Sequence, residues 1–106
     1  MDKKVRELVW QRSRGYCEVC GFPLDPESWD FSHRKARKHK GPDTPENGMA
    51  IHHHPCHLVD IELHPRLARD KGWRVISTEN PLEIPIWLYG KLKVWLEPDG
   101  TYRFDD

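Results

Sequence analysis

The stretch that decides the reading of this chain is Ser32-His33-Arg34, followed by Asn47 and then by His52-His53-His54-Pro55-Cys56-His57. Just ahead of His33, Trp29-Asp30-Phe31-Ser32-His33 has the aromatic-rich alternation of a short strand. Arg34 to Glu46 is polar and holds Gly41-Pro42 and Thr44-Pro45, which marks a loop. Met49-Ala50-Ile51 reads as a second short strand. Pro55 suits the first turn of a helix whose apolar side carries Leu58, Val59 and Ile61. One histidine thus closes a strand, and others gather where a helix begins. Imidazole takes a proton near neutral pH and also holds divalent cations. Beside a phosphodiester, those two abilities point to metal-assisted hydrolysis of nucleic acid.

Upstream, Tyr16-Cys17-Glu18-Val19-Cys20-Gly21-Phe22 reads as a zinc knuckle, with a glycine that lets backbone amides approach the thiolates. The chain has three cysteines, Cys17, Cys20 and Cys56, and an odd count argues against a pure disulfide framework. Cys56 sits among histidines, so metal ligation is the better reading. Reduced thiols in turn imply a cytosolic setting. No apolar signal region follows Met1-Asp2-Lys3-Lys4 and no run approaches membrane-spanning length, so the expectation is a soluble, intracellular protein without a membrane partner.

The 106 residues make one domain's worth of chain, 37% hydrophobic and 32% charged, so its core must be lean and in need of a staple such as a metal. Formal net charge is zero, yet Arg34, Lys35, Arg37, Lys38 and Lys40 fall in one segment without an acidic residue. Such a patch inside a neutral protein can bind a phosphate backbone, and Arg12 and Arg14 extend it.

Residues 3 to 13 read as an opening helix with Val5, Leu8 and Val9 on one face and Gly15 ending it. Pro65 to Lys71 reads as a short helix closed by Gly72. Trp73 to Ile76 and Ile84 to Leu88 look extended. Leu92 to Leu96 and Tyr102 to Phe104 flank Pro98-Asp99-Gly100, a hairpin signal. The five tryptophans, Trp10, Trp29, Trp73, Trp87 and Trp95, are assigned to the core rather than to base stacking.

Taken in order, Cys17 and Cys20, Ser32-His33-Arg34, Pro45-Glu46-Asn47-Gly48 and Cys56-His57 resemble the pattern of HNH endonucleases, most closely the small HNH proteins of tailed bacteriophages. The run from His64 to Trp73 resembles the continuation in phage members, so the likeness covers Tyr16 to about Ile86. The resemblance implies an α+β fold: a zinc-stabilised ββα-metal unit over about 16–72, with an N-terminal helix and a C-terminal extension over about 73–106 that ends in a β-hairpin.

The resemblance also assigns roles. His33 takes the place of the general base that activates water. Asn47 takes that of the residue that organises the loop, and His57 that of a ligand to a catalytic magnesium or manganese ion (Mg2+ or Mn2+). The residue before the base is commonly an Asp or His ligand; here it is Ser32, with Asp30 two residues back on the same strand face. Family members usually supply Cys-x-x-Cys twice. His53-His54-Pro55-Cys56 mimics the second pair, so His53 is favoured as the fourth ligand to a structural zinc (Zn2+), with His52 as the alternative. His64 is at most an auxiliary ligand.

The function so implied is hydrolysis of double-stranded DNA by nicking or double-strand cutting. A phage terminase is the implied partner in genome packaging, in the host bacterial cytoplasm if phage-encoded. The rival is a non-catalytic zinc module that binds DNA or protein, with Ser32 marking a decayed metal site. A ribonuclease or toxin-type HNH protein is a third reading.

Overall fold

A computed structural model describes residues 2–104. Helix α1 spans Lys3–Ser13, and the Asp2 carboxylate caps it by accepting from the Lys4 amide at 2.8 Å. Arg14, at φ 56°, and Gly15, at φ 80°, turn the chain out of the helix. Of the apolar face read from the sequence, Val9 alone is fully buried. Arg12 lies buried beside it, so this arginine is no part of a nucleic-acid surface, whereas Arg14 is exposed. The reason is Glu18. Its carboxylate is wholly buried and accepts from Arg12 Nε at 2.9 Å, Arg12 Nη2 at 2.8 Å, the Ala50 amide at 2.8 Å and the Tyr102 hydroxyl at 2.5 Å. Desolvation opposes the Arg12 charge, but Glu18 outweighs it and holds the guanidinium above its usual range. One ion pair thereby ties together the helix, the knuckle and both sheets.

Strands β1 (Asp30–His33) and β2 (Gly48–Ile51) form an antiparallel pair in which Asp30 faces Ile51 and His33 faces Gly48. Gly48 is glycine for a steric reason: a Cβ there would lie 2.0 Å from the Phe31 ring. A helix with wide turns follows at His53–Ile61, where the His57 amide reaches the His52 carbonyl and the Glu62 amide reaches His57. It buries Cys56 and Ile61, while Leu58, expected on its apolar side, is exposed. A short helix, α2, occupies Pro65–Asp70.

Trp73 to Ile76 forms no strand. The Trp73 and Arg74 amides return to the Ala68 carbonyl and the Val75 amide bonds Arg34 O, so these groups close a helix end instead of a ladder. The C-terminal hairpin is one half of a three-stranded antiparallel sheet, β3 (Ile86–Leu88), β4 (Leu92–Leu96) and β5 (Tyr102–Phe104). The β3–β4 turn carries no plain sequence signal, since Tyr89 takes a positive φ of 58° before Gly90 at 72°, a conformation that Tyr does not announce.

The residues read as an extension belong to the body of the fold. Trp73, Ile86, Leu88, Val94 and Leu96 share one buried cluster with Val9, Trp29, Met49, Ala50 and Ile51. Trp10 packs against that cluster from its edge, and Trp87 is exposed. The result is a small α+β protein whose radius of gyration, 12.2 Å, is that of a compact chain of this length. Among the described residues no helix is long and apolar enough to cross a membrane.

Candidate metal centres and an adjoining cleft

Among the described residues two groups of donors converge, and the neighbours His52 and His53 are divided between them while His54 joins neither. Cys17, Cys20, His52 and Cys56 place their ligand atoms within 4.8 Å of one another, as do Asp30, His53 and His57. The fourth member of the sulfur group is therefore His52, where spacing favoured His53.

The knuckle delivers the first two sulfurs. Tyr16 and Pro23 bridge its base, the Cys17 amide donates to Phe22 O at 2.9 Å, and Gly21 makes the turn at φ 82°. The Cys20 amide points at Cys17 Sγ, 3.5 Å away. Cys56 comes from the first turn of the wide helix and is itself buried, its sulfur 3.6 Å from that of Cys17. His52 Nδ1 lies 3.3 Å from Cys20 Sγ and 3.7 Å from Cys56 Sγ. Its Nε2 sits 3.0 Å from the Pro23 carbonyl, which can only accept, so the proton is on Nε2 and the Nδ1 lone pair faces the sulfurs. A ligating imidazole is held in this way, by a carbonyl on its far nitrogen.

The thiols are free rather than disulfide-bonded. The contact with Cys56 holds the Cys17 thiol down, to about 5, and pushes Cys56 up in return. Burial raises Cys20. Three crowded sulfurs and one imidazole lone pair make a donor set that fits a tetrahedral cation such as zinc.

In the second group, Asp30 Oδ2 receives His53 Nδ1 at 2.7 Å and His57 Nδ1 at 2.8 Å. Asp30 reaches the wide helix because it stands on β1 opposite Ile51, the last residue of β2 before the chain turns into that helix. Burial disfavours the Asp30 charge, but the bonds from His57 and His53 outweigh it and hold the carboxyl below its usual range. One carboxylate oxygen and two imidazoles, half open to solvent, can hold a divalent cation. Ser32 plays another part: it is buried, and its hydroxyl accepts from Arg74 Nη1 at 3.3 Å.

His33 and His57 line one open cleft of about 770 Å³. His33 Nε2 stands 2.6 Å from Asp43 Oδ1. The carboxylate can only accept, which assigns the proton to Nε2 and leaves Nδ1 free to take one. The hydrogen bond from His33 in turn holds Asp43 below the usual carboxylate range. Asp43 was not legible as a site residue; it lies ten residues downstream of His33 in a loop with no periodicity.

Asn47 is fully buried and pins that loop. Its Oδ1 accepts from the Lys35 amide at 2.7 Å, and its Nδ2 donates to Lys35 O at 3.1 Å and Pro42 O at 2.9 Å. The basic segment divides. Arg34 is 0% exposed and therefore cannot lie on a nucleic-acid surface. Its guanidinium donates to the carbonyls of Gly72, Glu46, Pro81 and Ile84 at 2.6–3.0 Å. Burial and the nearby Arg12 pull it down to about 9, which still leaves it charged at neutral pH. Lys35 is half-buried and bonds Glu79 O, whereas Arg37, Lys38 and Lys40 are exposed. His64 is exposed and caps α2 through its backbone, and it belongs to neither donor group.

Glu62 and Arg74 had no motif to reveal them. Glu62 Oε1 lies 3.4 Å from His57 Nε2 and accepts from Arg74 Nη2 at 2.6 Å. Arg74 Nη1 also donates to the His33 carbonyl. No family model matches the chain, and neither curated proteins nor solved structures give a match to it.

Proposed function

We propose that this chain is a zinc-stabilised, metal-dependent endonuclease of the HNH type that hydrolyses phosphodiester bonds of double-stranded DNA. The observation that carries this reading is the sharing of one cleft by His33 and His57, with the Asp30–His53–His57 group at its side. The order of parts, strand-end His33, loop-pinning Asn47 and helix-borne His57, is the order the HNH resemblance requires.

In this reading Cys17, Cys20, His52 and Cys56 hold a structural zinc, and Asp30, His53 and His57 hold a catalytic divalent ion. Such an ion, when bound, polarises the scissile phosphate and stabilises the departing oxygen. His33 Nδ1 takes the proton from the attacking water, and Asp43 keeps the ring in the tautomer that exposes Nδ1. Asn47 fixes the loop that carries Asp43 and the exposed Arg37, Lys38 and Lys40, which face the phosphate backbone on either side of the cut. A bacteriophage terminase as partner and the bacterial cytoplasm as setting follow from the resemblance to phage members.

The non-catalytic zinc module is the second reading, and one observation favours it: Ser32, where the pattern expects a metal ligand, is engaged by Arg74. Supercoiled plasmid incubated with zinc-loaded protein and manganese or magnesium separates the two. Divalent-dependent nicking or linearisation that disappears in His33→Ala supports the nuclease. An intact plasmid supports the binding module. A parallel incubation with single-stranded RNA covers the ribonuclease reading.

A further inference from the structure

Arg74 differs from the buried Arg12 in that its carboxylate partner stands open to solvent. It stands half-buried in the cleft between the two histidines, with Nη1 on His33 O and Ser32 Oγ and Nη2 on the Glu62 carboxylate at 2.6 Å. Two of these acceptors are neutral and belong to β1. The third is an anion, more than half exposed, and it is the one carboxylate among the described residues that line the cleft. Around it the rim is cationic, with Arg37, Lys38 and Arg69.

A carboxylate and a phosphodiester are interchangeable to a guanidinium. Each spreads one negative charge over two oxygens, either of which can accept from Arg74 Nη2. Glu62 Oε1 also lies 3.4 Å from His57 Nε2, so the position it fills is next to the group assigned to the catalytic ion.

We infer that Arg74 is the residue that grips the DNA backbone phosphate in the cleft, and that Glu62 occupies the phosphate's place until DNA arrives. This rests on the nuclease reading above and adds to it a substrate contact and a resident competitor. Binding exchanges one ion pair for another. Nη1 keeps its hold on His33 O, so the same guanidinium that takes the phosphate also positions the end of β1.

The test uses zinc-loaded full chain and a short fluorescent duplex with no added manganese or magnesium, so that binding is read without cutting. The slope of log affinity against log salt should shrink by about 0.9 in Arg74→Gln, for one lost phosphate contact, and stay at the wild-type value in Arg74→Lys. Glu62→Gln should tighten binding roughly fivefold, the size of an exposed ion pair. That gain should vanish in the Glu62→Gln/Arg74→Gln double variant, which separates release of Arg74 from a general gain of positive charge. A clamp that only braces the fold gives the opposite sign, with both single variants weakened.

The inference is overturned by an unchanged slope in Arg74→Gln, by a Glu62→Gln gain that survives in the double variant, or by a wild type that does not bind the duplex at low salt. If Arg74→Gln does not fold, as its melting curve and zinc content show, the Arg74→Lys slope and the sign of the Glu62→Gln effect decide. Failure of the nuclease reading looks different: the duplex binds as described and the plasmid stays uncut.

Discussion

His52 and His53 are neighbours in the chain, yet their imidazoles serve different groups, His52 Nδ1 lying 3.3 Å from Cys20 Sγ and His53 Nδ1 2.7 Å from Asp30 Oδ2. His52 is extended, at φ −67° and ψ 140°, and opens the wide helix, so adjacent side chains leave on opposite sides. His52→Ala should therefore lose the structural zinc and melt far below the wild type. His53→Ala should keep that zinc and melt within a few degrees of it, because an exposed ion pair is worth about 0–1 kcal/mol. Metal content by elemental analysis beside thermal melting checks both. Zinc retained in His52→Ala and lost in His53→Ala would reverse the assignment.

Zinc removal should unfold the chain. The buried cluster is small for 106 residues, and binding energy of about 10–16 kcal/mol for a structural zinc is folding energy in such domains. Three thiols must each give up a proton to bind. Acidification below a free-thiol value of about 8.5 should thus weaken zinc by up to about a thousandfold per pH unit, and stability falls in the same direction. A chelator at neutral pH and mild acid should reach the same unfolded state, read by circular dichroism with a zinc indicator. A chelated protein that keeps its native spectrum counts against this.

Local signals carried much of the fold. Helix α1, β1 and the β4–β5 hairpin stand where periodicity and turn residues put them, because each is set by residues close in sequence, and β2 takes in Met49-Ala50-Ile51, a run too short for periodicity to show. The sulfur donors were equally plain from Cys17-x-x-Cys20 and Cys56. What stayed hidden depends on distant partners. The choice between His52 and His53 turns on backbone direction at a helix entry, and Asp43, Glu62 and Arg74 acquire meaning only once the loop and the helix end fold against β1. Arg34 shows the limit most clearly. In the sequence it is one of five cations in a basic run, and only the fold reveals four carbonyls from three segments converging on it.

That convergence separates Arg34 from its neighbours experimentally. Arg34→Met leaves the carbonyls of Gly72 and Pro81 in the interior with a donor removed. At about 1–3 kcal/mol for each buried unsatisfied group, the loss should be at least about 2 kcal/mol. Arg37→Ala and Lys38→Ala, both exposed, should change stability by no more than about 0.5 kcal/mol while weakening duplex binding. Urea melts and binding isotherms on the three variants make the comparison. An Arg34→Met protein of wild-type stability would return this arginine to the surface.

The His33–Asp43 pair sets an order of effects on cleavage. His33→Ala removes the only nitrogen assigned to take the water proton, and a positioned general base contributes roughly 10²–10⁴-fold. Asp43→Asn keeps the imidazole but can donate as well as accept, which loosens the tautomer. Its loss of rate should be smaller, with melting unchanged, since the pair is partly exposed. Single-turnover rates on plasmid measure both. Asp43→Asn as damaging as His33→Ala, in a folded protein, would make Asp43 more than an orienting group.

Manganese should outperform magnesium, for a reason found in the donor set. Magnesium prefers oxygen ligands and sheds water reluctantly, whereas imidazole nitrogen suits transition metals. Reading Ser32 and Asp30 as the partners of His57 left the two ions equivalent. With His53 in the group the set becomes two imidazoles and one carboxylate, which tilts the choice. Cleavage should accordingly be faster with manganese, cobalt or nickel than with magnesium at equal concentration. His53→Ala should narrow that gap by lowering the manganese rate more than the magnesium rate. His57→Ala should abolish cleavage with either ion. If magnesium serves the wild type as well as manganese does, His53 is no ligand, and its contact with Asp30 only braces the strand against the helix.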